Sequence, residues 1–137
     1  MKFKLTILAF ASVFWWSFVA EERTLQDPLK ESIVRGQSIY EDICMNCHMA
    51  NGKGDGAIYP PLAQSDFLLK NRAASIRAVK YGISGKITVN GKDYYNYMAD
   101  PGLSTQEVAD VMNYILNTWG NKSEQIVTPE EVMLIVK

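Results

Sequence analysis

Apolar and polar positions divide the chain into one uncharged block followed by short amphipathic stretches set between loops. Residues 5–20 form an apolar run of sixteen behind Lys2 and Lys4, which is the anatomy of an export signal. Cleavage after about Ala20 is expected, where the chain turns to Glu21-Glu22-Arg23. Phe18 stands where a small residue is preferred, so retention of residues 5–20 as a membrane anchor stays open, although that run is slightly short for about 30 Å of hydrocarbon.

Residues 21–31 read as a charged lead-in. Ile33, Gly36, Ile39, Tyr40 and Ile43 then recur at helical spacing, with Ser32 as N-cap, and predict a first helix that runs straight into Cys44. Asn51 to Pro61 holds three glycines and two prolines and predicts an irregular loop. Ala74, Ile76, Ala78 and Val79 predict a helix that stops at Gly82. Asn90-Gly91 between the β-prone runs Ile87-Thr88-Val89 and Lys92-Asp93-Tyr94 predicts a hairpin, inserted on a helical body. A second irregular stretch covers residues 96–102. After it, Ser104 and Glu107 form a capping box ahead of the stripe Val108, Val111, Met112, Ile115 and Trp119, which Gly120 ends. Thr128, Pro129 and Glu131 repeat that logic before a short tail helix. The resulting division is a signal or anchor at 1–20, a lead-in at 21–31, one domain at 32–120 and an extension at 121–137.

The 137 residues suit a single compact domain. With 14 Lys plus Arg against 15 Asp plus Glu, there is no basic excess, and nucleic-acid binding is not expected. Loss of residues 1–20 leaves 12 positive and 15 negative side chains, a mildly acidic surface that suits a basic patch on a partner.

The only two cysteines and the only histidine fall within five residues, Cys44-Met45-Asn46-Cys47-His48. In a Cys-x-x-Cys-His arrangement each residue has its own task. The two thiols add across the vinyl groups of haem and become thioethers, and the adjacent imidazole reaches the iron. A zinc site would want four ligands, and no further Cys or His exists. A dithiol redox pair of thioredoxin type would expect a strand before it, whereas a helix is expected here.

A second imidazole ligand from this chain is impossible, so the other axial position falls to a methionine, whose thioether favours ferrous iron. Met45 and Met49 flank His48 too closely to reach the opposite face, while Met112 and Met133 sit at helical positions and read as packing. Met98 lies in an irregular loop fifty residues after His48 and is the expected ligand.

From Glu31 to Gly120 these features resemble the class I, monohaem cytochromes c of bacterial type. Gly36, Tyr40 and Cys44 keep that family's spacing of small residue, aromatic and first haem cysteine, and Val111 and Tyr114 look like the contacts that its last helix makes at the glycine. Pro60-Pro61-Leu62 is similar to the family's proline segment, which makes Pro60 the expected carbonyl partner of His48, a bond that orients the imidazole. Residues 85–94 look like the hairpin insertion of some bacterial cytochrome c domains, which occur alone and fused to redox enzymes. Where many of these have Met-Pro, this chain has Met98-Ala99. Tyr94, Tyr95 and Tyr97 are candidates for contact with Met98 or a propionate, and Arg72, Arg77 and Lys80 for neutralising propionates, against the plainer reading of packing and a solvated face.

The resemblance implies a mainly α fold, helices wrapped around one covalent haem c, with both axial positions filled. An iron without an open position favours electron transfer over catalysis. The expected function is a periplasmic carrier of single electrons between redox protein partners, or the same protein anchored to the periplasmic face of the inner membrane. One rival is a haem-c enzyme subunit, or a gas- or peroxide-reactive protein with a labile Met98. The other is a thiol oxidoreductase that uses Cys44 and Cys47.

Overall fold

The computed structural model describes residues 27–137; the run at 1–20 expected to direct export lies outside the described residues. Helix α1 spans Pro28–Ile39. It begins one turn before the expected start, because Asp27 caps it by accepting from the Leu29 N–H at 3.0 Å and Pro28 supplies a preset φ at its first turn. Ser32 is not a cap. It is buried within α1 and donates its hydroxyl proton to Asp110 at 2.6 Å.

The chain does not leave α1 as a plain helix. A π-helical turn at Tyr40–Cys44, in which the Met45 N–H donates to the Tyr40 carbonyl, leads into α2, Met45–His48. Such turns are rare and concentrate at functional sites. Helix α3, Asp66–Lys70, was not foreshadowed by any apolar period, being five residues long and held by Ser65, whose Oγ accepts from the Leu68 N–H. Helix α4 spans Arg72–Tyr81 and ends at Gly82 as expected.

Strands β1, Ile87–Val89, and β2, Lys92–Tyr94, pair antiparallel with Ile87 opposite Tyr94. Asn90 and Gly91 turn between them with φ of 50° and 77°, the left-handed pair that a two-residue hairpin requires. The turn is pinned to the start of α3 by a reciprocal pair: Asn90 N–H donates to Asp66 Oδ1, and Asp66 N–H donates to Asn90 Oδ1.

Helix α5, Thr105–Ile115, starts with the complete Ser104–Glu107 capping box. Its crossing with α1 forms the centre of the molecule. A side-chain carbon on Gly36 would overlap the backbone carbonyl of Asp110 and meet Tyr114 Cβ at 2.9 Å. The expected contact with Tyr114 is there, but the closest approach is to the Asp110 backbone and not to Val111. Ile76, Val108, Met112, Val127 and Val132 complete a core from which water is excluded; each contributes roughly 1.5–3 kcal/mol on full burial.

Helix α6, Pro129–Leu134, carries the tail back over this core. Thr128 Oγ1 accepts from the Glu131 N–H at 3.2 Å, but the capping box stays half made. The Glu131 carboxylate goes instead to Arg72, at 2.6 and 2.7 Å, because a bidentate guanidinium partner outcompetes one backbone N–H. Asn113 on α5 brackets Val127, donating to its carbonyl at 2.9 Å and accepting from its N–H at 2.7 Å.

Candidate functional site

A cavity of about 600 Å³ opens between the π-helical turn, the loop after α2, α4, the hairpin and α5. Cys44, Cys47 and His48 all stand on its wall, although only α2 carries the last two. The Cys-x-x-Cys-His segment is delivered through the π-helical turn, whose first residue, Tyr40, is buried. The Tyr40 hydroxyl donates to the Met49 carbonyl at 2.7 Å and thereby ties the end of α2 back to the start of the π-helical turn.

The loop after α2 is organised by its own backbone. Asp55 Oδ1 accepts from the N–H groups of Ala57, Ile58 and Tyr59, each at 2.8 Å. Leu62 and Ala63 both donate to the Gly52 carbonyl, at 2.7 and 2.8 Å. The loop therefore folds back on itself and presents the Pro60 carbonyl 3.0 Å from His48 Nδ1. With Nδ1–H donated there, the other ring nitrogen is the lone-pair donor left available to a metal. Burial pushes the His48 pKa down, opposed by the Pro60 hydrogen bond, so the imidazole is neutral near pH 7. Burial, helped by Cys47, pushes the Cys44 thiol up to about 11. Such a thiol is a poor thiolate source for disulfide exchange.

Met98 also stands on the cavity wall and is held by its backbone. Its N–H donates to the Ile83 carbonyl at 2.8 Å and its carbonyl accepts from the Ile83 N–H at 2.9 Å. Among the described methionines, Met98 alone lines the cavity. Met112 is in the core, Met45 packs at its edge, and Met49 and Met133 face solvent.

The hairpin proves to be a wall of this cavity and not an ornament. Ile87, Val89 and Tyr94 line it, with Val89 and Tyr94 buried, while Thr88 and Asp93 face out. The alternation in Ile87-Thr88-Val89 already carried that signal. Tyr94 thus packs into the wall, whereas Tyr95 and Tyr97 are exposed, Tyr97 at the cavity's edge. Arg72 and Lys80 turn away from the expected propionate role: Arg72 binds Glu131 and the carbonyls of Gln125 and Ile126, and Lys80 binds those of Val132 and Ile135. Arg77 is exposed.

The donor set fits an iron porphyrin: two thiols, a neutral imidazole and a soft thioether all stand on the wall of one largely apolar cavity. Comparison with known proteins agrees. The family model for cytochrome c matches residues 33–119. The chain belongs to the cytochrome c family. It is 36% identical over 106 residues to cytochrome c-552 of Thermus thermophilus, a match covering 71% of this chain and 80% of that one. It is 32% identical over 103 residues to the cytochrome c subunit of the quinone alcohol dehydrogenase of Gluconacetobacter polyoxogenes, 72% of this chain but 22% of that subunit. The cytochrome c subunit of gluconate 2-dehydrogenase from Pantoea cypripedii is 28% identical over 109 residues, 24% of its length.

As a cytochrome c the protein carries covalent haem c and is an electron carrier, free or as the cytochrome subunit of an oxidoreductase. Family membership, the helical approach to Cys44 and the protonated thiol together set aside the dithiol reading.

Proposed function

We propose that this cytochrome transfers single electrons through one haem held by thioether bonds from Cys44 and Cys47, with His48 and Met98 as axial ligands. Cys44 and Cys47 would each hold the haem by adding S–H across a vinyl C=C, sulfur to one carbon and hydrogen to the other, with no net redox change. The haem supplies a one-electron couple. The chain does the rest. The Pro60 carbonyl fixes the His48 tautomer and ring plane, the Ile83 backbone fixes Met98, and the apolar wall from Val79, Val89 and Tyr94 keeps water from the metal. A dry site with neutral and thioether donors favours the ferrous state and a raised potential.

Support for this reading comes from Met98, which among the described methionines alone lines the cavity that also holds His48 and which is tethered by its backbone to Ile83. With His48 and Met98 both bound, no open iron position would be left for a substrate. The expected setting is the periplasm, reached through cleavage of residues 1–20 or with that run retained as an anchor. Among the described residues no helix is long and apolar enough to cross a membrane. The partners are then redox proteins of that compartment, and residues 121–137 are an added element strapped to the domain.

Mixing reduced holoprotein with carbon monoxide tests the closed iron. Slow binding, limited by displacement of a ligand, is expected; rapid, concentration-limited binding would instead mark a gas- or peroxide-reactive protein.

A further inference from the structure

Lys80 and Tyr81, the last two residues of α4, hold the C-terminal tail and stand directly before the segment that holds Met98. The Lys80 ammonium donates to the carbonyls of Val132 and Ile135, each at 2.8 Å, and the Tyr81 hydroxyl donates to Ile135 at 3.2 Å. These carbonyls lie at the C-terminal end of α6, where a cation is favoured. On the other side, Gly82 ends α4 with φ of 76°, and a side-chain carbon there would overlap the Met98 carbonyl. Ile83 follows and pairs with Met98 through both backbone hydrogen bonds. Direct contacts therefore run without a break from α6, through Lys80 and Ile83, to the backbone of Met98.

We propose that Lys80 is a positioning residue for Met98: by fastening the end of α4 to the tail, it keeps the Ile83–Met98 pair closed and the thioether on the iron. The inference rests on Met98 being the axial ligand. Iron–thioether bonds are the readily displaced ones in such a site, so the frequency with which the loop opens sets how fast an outside ligand enters. Arg72 ties the same tail to the opposite end of α4, far from Ile83, and separates loss of tail docking in general from loss of this contact.

The experiment uses ferric holoprotein. The far-red sulfur-to-iron absorption of the wild type is recorded first, and imidazole is then mixed in and displacement followed by stopped flow. Lys80→Met is expected to speed displacement about tenfold, the worth of a charge-assisted hydrogen bond. Lys80→Arg restores much of the wild-type rate, and Tyr81→Phe accelerates less. Arg72→Met lowers the urea midpoint yet leaves displacement within about twofold. Displacement at the wild-type rate in Lys80→Met, or an equal acceleration in Arg72→Met, overturns the inference. Absence of the far-red absorption in the wild type is a separate failure: it removes Met98 as ligand, and the positioning role with it.

Discussion

The backbone of α1 at Gly36 meets the Asp110 carbonyl on α5 with no room for a side-chain carbon between them. This contact sets the distance between the helix that delivers Cys44 and the helix that backs the cavity through Val111 and Ile115. Gly36→Ala forces the two backbones apart. A loss of about 3 kcal/mol is expected in urea unfolding of the holoprotein, at the upper end of overpacking costs.

Asp110 also anchors the crossing through its carboxylate, which accepts from Ser32 at 2.6 Å and from Arg35 at 2.7 and 2.8 Å. Burial pushes this carboxyl up, but the hydrogen bonds from Arg35, Ser32 and Gln106 outweigh it and leave its pKa below the usual value. A folded-state pKa below the unfolded one stabilises the protein above the unfolded pKa, and that stability is lost as pH falls through the folded value. Asp110→Asn is therefore expected to cost about 2 kcal/mol at pH 7. The gap to wild type should shrink once pH drops below about 4. Urea titrations at a series of pH values read this directly; a gap that widens in acid contradicts it.

Met49, directly after the histidine, has φ of 63° and ψ of 158°, a conformation that disfavours any residue with a side chain. It is held there by two donors to its carbonyl, the Tyr40 hydroxyl at 2.7 Å and the Gly52 N–H at 3.0 Å. Met49 is 37% exposed, so removal of the side chain gives up some packing against the relief of strain. Met49→Gly should gain about 1 kcal/mol by relieving this strain, with the visible spectrum of the holoprotein unchanged. A loss of stability would show that the Met49 side chain packs in the loaded protein.

What could be read from the sequence follows the range of the interactions involved. The Ser104–Glu107 box, the Asn90-Gly91 turn and the stop at Gly82 rest on contacts within a few residues, and they stand in the structure as their residue types require. The carbonyl of Pro60 beside His48 was reached through the family pattern, since nothing local tells which of two adjacent prolines turns inward. Long-range partners were not legible. Arg72 and Lys80 look like a solvated face when only α4 is considered, because Glu131 and the α6 carbonyls lie more than fifty residues on. Ser32 reads as a cap for the same reason, its partner Asp110 being invisible locally. Helix α3 is too short to show a period, and the π-helical turn has no residue signature apart from the motif it displaces.

In the proposed carrier Met98, and no other methionine, faces His48 across the iron. Proton NMR of ferrous holoprotein labelled at its methionine methyl groups reads this most directly, since a methyl held over the porphyrin face is moved strongly upfield by the ring current. One upfield methyl, assigned to Met98 by its disappearance in Met98→Leu, is the expected result. No upfield methyl, or one that survives in Met98→Leu, would contradict the ligation and with it the closed electron carrier.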